Sequence, residues 1–398
     1  MLRHLQQVIH TMIGIKHHDM KDLYRFCVGD SHIKTCKPCQ DYARSASNEF
    51  CSMAIVSDGH GGERYFRSNI GSEYAVKITR NAIEEFVKEM NNQEACLFEH
   101  KAFTTSESDT EKTNEKINQA LRWLFSSIIC QWNIAITEHA LNNGLTKWEL
   151  EHVEEKYLTE FENKQKETDS TFEKTYGCTL MAYVHTSSYW FAFQIGDGKC
   201  VFLTQSNGKI ECNKSIPWDE RCFLNKTTSL CDSQAIDGFR FCYQGDGNFP
   251  MAVFLGSDGL DDTYGDEEGL YNFYIELYKL ILQKGAKEAK KELKRTLPII
   301  SQRGSKDDMS IACVYDDSYS EETIKLLIEY QVCQIDKDIL DIENQISQLK
   351  EKIVGMNDKD NLSSSEQIDL NYAHKNIEKL INRQNLLNDK KAKLYEEI

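Results

Sequence analysis

The sequence predicts an α+β fold of stacked sheets covered by helices, continued by a helical tail. Three observations predict it. Short apolar runs of strand length recur and end in acidic, glycine-rich turns. Longer stretches repeat their apolar residues at helical spacing. After Asp316 the pattern changes to a heptad seam. Mixed elements in this order suit layered sheets with helices on the outer faces.

The elements follow in order. Residues 1–26 read as helical at first, then irregular. Phe50–Val56 is short, apolar and strand-like. Arg64–Met90 carries Ile70, Tyr74, Ile78, Ile83 and Val87 on one helical face. Asn91–Glu111 is polar and reads as a loop. Ile117, Leu121, Leu124, Ile128, Trp132 and Ala135 mark a buried helix over Ile117–Ala140. Trp148–Lys166 reads as a more charged helix or an insertion. From Gly177 the period becomes that of strands, giving Cys178–His185, Tyr189–Ile195 and Lys199–Thr204, with Ser187-Ser188 and Asp197-Gly198 as turns. Phe239–Gln244, Met251–Leu255 and Ser310–Tyr315 are further strands, and Gly269–Gly285 is a helix between them. In the tail, Ile328, Val332, Ile335, Ile339, Ile342, Ile346, Leu349 and Ile353 alternate four and three apart. Gly355–Asn361 breaks the seam. Ser363-x-x-Glu366 reads as a capping box that opens a second helix with Ile377, Leu380, Leu387 and Leu394 on its stripe. The two helices form either a hairpin or a coiled-coil surface for a partner helix or a second copy. The expected division is a catalytic domain over 1–316, with a helical insertion at about 91–170, and a helical extension over 317–398.

Composition narrows the function. The chain has 398 residues, 40% of them hydrophobic, and a net charge of -16. So acidic a chain lacks the basic patch a nucleic-acid surface needs. The first 14 residues are too polar for a secretory signal and no segment approaches a membrane span, so a cytoplasmic location is expected. The 14 cysteines are scattered and are expected to be reduced. Cys36-x-x-Cys39 lacks the second pair of ligands that zinc requires, even with His32 nearby.

Chemistry concentrates at strand ends. Asp58-Gly59-His60-Gly61-Gly62 follows the first apolar strand. Its carboxylate and bare carbonyl suit hard cations such as Mg²⁺ or Mn²⁺, and its histidine is a candidate proton donor near neutral pH. Gln40-Asp41 precedes that strand. Gly196-Asp197-Gly198, Ser257-Asp258-Gly259 with Asp261 and Asp262, and Lys306-Asp307-Asp308 stand at the ends of three others. Acidic groups gathered this way repel one another unless cations lie between them. Two metals so held can bridge a hydroxide and neutralise phosphate charge, and a histidine can protonate a leaving alkoxide. Hydrolysis of a phosphate ester is the natural reaction of these residue types.

The ordered set Gln40-Asp41, Asp58-Gly59-His60-Gly61-Gly62, Gly177-Cys178-Thr179, Gly196-Asp197-Gly198, Ser257-Asp258-Gly259-Leu260-Asp261-Asp262 and Ser305-Lys306-Asp307-Asp308-Met309-Ser310 resembles the protein phosphatase 2C family over roughly residues 14–316. Ser31-His32 and Cys39-Gln40-Asp41 look closer to bacterial members. The resemblance implies a four-layer αββα sandwich of two antiparallel sheets. It implies a Mn²⁺- or Mg²⁺-dependent phosphatase acting on phosphoserine and phosphothreonine in proteins, with two metals and room for a third. Asp58 then bridges both metals, Gly59 lends its carbonyl, and Asp258 and Asp307 are ligands. Asp197 and Asp262 match a third site, Asp41 orders metal-bound water, and His60 is the general acid. The family usually has Glu where Gln40 stands and often Asn where Asp308 stands. Its phosphate-binding arginine has no counterpart. His32 and Lys37 are the candidates to replace it, with Lys34, Arg64 and Arg67 as alternatives. A rival reading is a weak pseudophosphatase that scaffolds partners through the tail. A third is an oligomeric structural protein built on Ile328–Ile353.

Overall fold

The computed structural model describes residues 20–92, 96–103, 114–168, 170–222, 226–318, 320–357 and 363–397. In chain order the elements are β1 (Lys21–Cys27), α1 (Asp30–Thr35), β2 (Tyr42–Ser47), β3 (Ser52–Ser57), α2 (Ser68–Asn91), β4 (Ala102–Phe103), α3 (Glu115–Asn142), α4 (Lys147–His152), α5 (Glu155–Lys164), β5 (Leu180–His185), β6 (Trp190–Ile195), β7 (Lys199–Ser206), β8 (Lys209–Asn213), β9 (Arg240–Gln244), β10 (Ala252–Gly256), α6 (Asp258–Tyr264), α7 (Glu267–Lys284), α8 (Ala286–Arg303), β11 (Met309–Tyr315), α9 (Glu321–Asn357) and α10 (Ser364–Tyr395). The chain divides into two compact units. One joins the residues up to Gln205 with Cys212–Ser318, and the other joins Ser206–Glu211 with Tyr319–Ile398.

The strands form two sheets, ordered β1-β11-β10-β7-β8 and β2-β3-β5-β6-β9-β4. Their ladders are antiparallel, for example Ala54 opposite Tyr183 and Phe254 opposite Cys313. The central strands are apolar on both faces because both are covered. In β3, Ala54 and Val56 face a cluster shared with Phe202, Val253, Leu255, Ala312 and Val314 of the other sheet. Met53 and Ile55 belong to the cluster with Ala75, Ile83 and Phe86 of α2 and Leu124, Ile128 and Trp132 of α3. On the opposite side, Tyr274 of α7 stacks on Phe254 of β10, with centroids 4.8 Å apart. The result is the expected four-layer αββα sandwich.

Several elements differ from the sequence reading. The expected helix at the N-terminus lies partly in residues 1–19, outside the described residues, and Lys21–Cys27 is strand β1. Both β1 and β2 lie at sheet edges and are half-buried and polar, so no apolar run marks them. The charged stretch at 148–166 is two short helices, α4 and α5, parted at Val153 and Glu154. The first opens with a capping box between Thr146 and Glu149. Helix α8 buries only the narrow stripe Ala289, Leu293, Leu297 and Ser301, too thin to register as a helical period.

In the second unit, α9 and α10 pack on each other. Ile342, Ile346 and Ile353 of the heptad seam are buried, as are Ala373 and Leu394 of α10. The helices run antiparallel. Asp336 pairs with Lys391, and Gln384 Nε2 donates to Glu343 Oε1 at 2.9 Å. The break expected at Gly355–Asn361 does not begin at Gly355, since α9 continues to Asn357; its remainder lies outside the described residues.

Trp132 anchors the helix layer. It is fully buried, and its indole N–H donates to Gly71 O at 2.9 Å. Trp132→Ala is expected to cost about 3–5 kcal/mol, as for other buried aromatics, in chemical denaturation followed by circular dichroism.

Candidate active site

The site begins where β3 ends. Ser57 Oγ donates to Thr179 O at 2.5 Å. Asp58 N donates to Thr179 Oγ1 at 3.0 Å, and Thr179 N donates back to Asp58 O at 2.8 Å. The strand exit is thereby tied to the start of β5. Gly59 lies against Gln40 and Ser68, where a Cβ would sit 2.8 Å from Gln40 O and from Ser68 backbone atoms. Only glycine allows that approach, which turns the chain and presents the flanking Asp58 and His60. A second close approach occurs at Gly259, where a Cβ would meet Asp308 O at 2.1 Å. It brings the start of α6 against the Asp307-Asp308 turn.

These turns open on one pocket of about 660 Å³. Asp58, Gly59, Asp197, Asp258, Asp262 and Asp307 all line it, together with His60, His32 and Lys37. Asp41 lies behind the wall, buried, with its Oδ2 making no hydrogen bond. The carboxyls of Asp41, Asp58, Asp197, Asp258 and Asp262 are pushed in the same direction. Burial, then the charge of Asp258 and of Asp41, holds Asp58 well above the ordinary value. Burial, then Asp308, does the same to Asp41. Burial raises Asp258 to about 6, with Asp197 and Asp307 adding to the rise while a hydrogen bond with Asp58 opposes it. Burial also raises Asp197, and Asp262 rises by burial and then by Asp261 and Asp197. A cluster of like charges partly withdrawn from water is held at a cost that divalent cations remove. The donors are oxygens throughout, the set that Mg²⁺ and Mn²⁺ accept. The residues fit such ions.

Asp308 serves a different purpose. Its Oδ1 accepts from Gly29 N at 2.6 Å, and its Oδ2 accepts from Gln40 N at 2.5 Å. His32 Nδ1 lies 3.0 Å from Oδ1. By distance alone, His32, Asp307 and Asp308 could hold an ion, but the oxygens of Asp308 are already committed to amide donors. It clasps the segments around 29, 32 and 40 together. Burial would raise its pKa, but the bonds from His32, Gly29 and Gln40 outweigh that and hold it below the ordinary 3.8.

His60 is half-buried. Its N–H donates to Gly177 O at 3.0 Å, and Tyr65 meets the ring edge-on at 4.8 Å. Its carbonyl accepts from Gln40 Nε2 and Ser68 Oγ, both at 2.9 Å. Gln40 is therefore more than a lost charge, since an amide can donate to that carbonyl where a carboxylate cannot. The ring's Nε2 lies 2.7 Å from Ser229 Oγ. Burial lowers the pKa of the imidazole to about 4, with Asp232 pulling it up and Lys174 down.

Of the cation candidates, Lys37 and His32 reach the pocket. Lys37 Nζ donates to Gly61 O at 2.8 Å. Burial lowers its pKa, and Asp307, Asp308 and Asp58 oppose the fall. Three alternatives fall away. Arg67 is buried, with Nε and Nη2 on Glu149 at 2.7 and 3.1 Å and Nη1 on Tyr176 OH at 3.2 Å. Arg64 is exposed, over the Tyr65 ring at 5.4 Å. Lys34 is exposed and paired with Asp30 at 2.5 Å. The sequence reading missed Lys226 and Thr227, which also line the pocket, and Ser229. All three come from an irregular stretch between β8 and β9, where no period or motif marks them.

A sequence model of the protein phosphatase 2C family matches residues 28–298. No curated relative matches the chain. Among solved structures, the serine/threonine phosphatase of Mycobacterium tuberculosis is 14% identical, covers 74% of this chain and 98% of its own, and gives a TM-score of 0.39. That of S. agalactiae is 14% identical, with 74% and 99% covered and a TM-score of 0.39. The catalytic domain of PstP, solved in complex with two manganese ions, is 15% identical, with 75% and 99% covered and a TM-score of 0.41. No helix among the described residues is long and apolar enough to cross a membrane.

Asp308→Ala leaves the amides of Gly29 and Gln40 without their acceptor. It is expected to cost on the order of 2–6 kcal/mol, measured by denaturant unfolding. Because the folded-state pKa is depressed, the contribution is present above the ordinary 3.8 and lost as pH falls through the folded value. The stability gap between wild type and variant should therefore narrow in acid.

Proposed function

The chain belongs to the protein phosphatase 2C family of serine/threonine protein phosphatases, and we propose that the acidic pocket is where it hydrolyses phosphoserine and phosphothreonine, with Mn²⁺ or Mg²⁺ held on its carboxylates. The observation that carries this reading is the convergence of Asp58, Asp258 and Asp307, from three distant parts of the chain, on one pocket with His60 and Lys37.

Asp58, the Gly59 carbonyl, Asp258 and Asp307 would hold two ions, with Asp197 and Asp262 available to a third. The ions supply acidified water at neutral pH and charge neutralisation on the phosphate. The remaining work belongs to side chains. Lys37 and Lys226 set positive charge against the phosphate oxygens. His32, held by Asp308, adds a polar group at the same wall. Buried Asp41 presents its unpartnered Oδ2 from behind the ligands and orders water among them. His60 is the general acid. Burial keeps its free imidazole neutral, and a phosphate dianion bound beside it raises its proton affinity. It then protonates the serine or threonine oxygen as the ester bond breaks.

Hydrolysis of p-nitrophenyl phosphate and of a phosphothreonine peptide is expected to need added Mn²⁺ or Mg²⁺ and to stop in excess EDTA. Asp58→Asn should lower kcat on the order of a thousandfold, the factor that several kcal/mol of lost charge stabilisation represents. Activity that survives EDTA or this substitution would refute the reading. Lys37→Ala is expected to raise KM roughly tenfold, the size of one charge-assisted hydrogen bond, whereas Arg64→Ala should leave KM unchanged.

A further inference from the structure

The imidazole of His60 has two nitrogens, and its surroundings determine which one is free to act. Nε2 lies 2.7 Å from Ser229 Oγ. That hydroxyl is only 1% exposed. It donates to Cys178 O at 2.9 Å, and Cys231 N–H donates into it at 3.2 Å. A serine hydroxyl has one proton and two lone pairs. Besides the ring, two acceptors face the hydroxyl, the Cys178 carbonyl at 2.9 Å and the Cys231 sulfur at 3.2 Å; the carbonyl is the nearer and the stronger acceptor and can only accept, so it takes the proton. What the hydroxyl turns toward His60 is then a lone pair, and Nε2 must carry hydrogen. Nδ1 is the nitrogen left to exchange a proton with a bound molecule.

Ser229 is itself firmly held. Its N–H donates to Asp232 Oδ2 at 2.9 Å, and the next amide, Leu230 N, donates to Cys178 O at 3.0 Å. The preceding residue braces a second part of the site, since Thr228 Oγ1 accepts from Gly196 N at 3.0 Å, one residue before Asp197. Adjacent hydroxyls of one segment thus support both the histidine and the Asp197 turn, while their neighbours Lys226 and Thr227 line the pocket.

We propose that Ser229 is a positioning residue of this phosphatase, which holds His60 as the Nε2–H tautomer and leaves Nδ1 as the atom that delivers the proton. The proposal rests on the reading of His60 as general acid. In the step, an oxygen from water bonds to phosphorus and the bond from phosphorus to the serine or threonine oxygen breaks. The Nδ1 proton of the imidazolium passes to that oxygen, and the ring is left neutral with its Nε2–H still on Ser229. No ring rotation or tautomer exchange is then needed between turnovers.

Two measurements on the full chain with Mn²⁺ test it. A phosphothreonine peptide has a poor leaving group that needs an acid, whereas p-nitrophenol leaves without one. Ser229→Ala should lower kcat on the peptide about tenfold or more with KM unchanged, and kcat on p-nitrophenyl phosphate less than about threefold. His60→Ala should show the same bias more strongly. Equal losses on both substrates for Ser229→Ala, beside a biased His60→Ala, overturn the role of Ser229 alone. An unbiased His60→Ala overturns the reading of His60 as the acid. Nitrogen-15 spectra of histidine-labelled protein decide the tautomer without any activity, with the His60 signals identified by their loss in His60→Gln. A neutral wild-type ring with hydrogen on Nε2 and its loss of preference in Ser229→Ala are expected. Hydrogen on Nδ1 in the wild type ends the proposal.

Discussion

The burial of acidic side chains around one pocket governs this molecule. Asp41, Asp58, Asp197, Asp258 and Asp262 are each displaced toward the protonated form, in every case first by removal from water. A fold whose only task was stability would have no reason to assemble them. The cost of gathering them is met by the surrounding scaffold, through ladders of fully buried strands and a large aromatic core on the helix side. Free energy invested in packing at one place is what allows an unfavourable charge arrangement at another.

The scaffold delivers its charges through close backbone approaches. Gly59 and Gly259 sit where no side chain would fit, and each stands beside an aspartate that reaches the pocket. Asp308 adds a clasp across nearly the whole length of the first unit, joining residues 29 and 40 to residue 308. Gln40 carries that clasp onward. Its main-chain N–H is held by Asp308, its carbonyl accepts from Gly59 N and Ser72 Oγ, and its side chain supports the His60 carbonyl.

Legibility followed burial. β3, β5, β6, β10 and β11 are covered on both faces, so their sequences are uninterrupted apolar runs that can be read without a structure. The edge strands β1 and β2 have solvent on one side and carry Lys21, Asp22, Arg44 and Ser45, which hide them. The metal-ligand candidates were legible for a related reason. Each follows or precedes a buried strand, and the abrupt change from apolar to acidic is itself a signal. Ser229, Lys226 and Thr227 carry no such marker because the segment that holds them has no period.

From the chain alone one can determine the layered architecture, the helical tail and the group of aspartates around His60, because these depend on local periodicity and on residue chemistry. Tertiary structure alone decided which cations face the pocket. Arg67 resembled a ligand in sequence and proved to be committed to Glu149, whereas Lys37 reaches the site beside Gly61. It also decided that Asp308 is a clasp and that His60 leans on Ser229. Such pairings join residues 24 to 279 positions apart, and which groups satisfy each other is settled only when the fold brings them within hydrogen-bond distance.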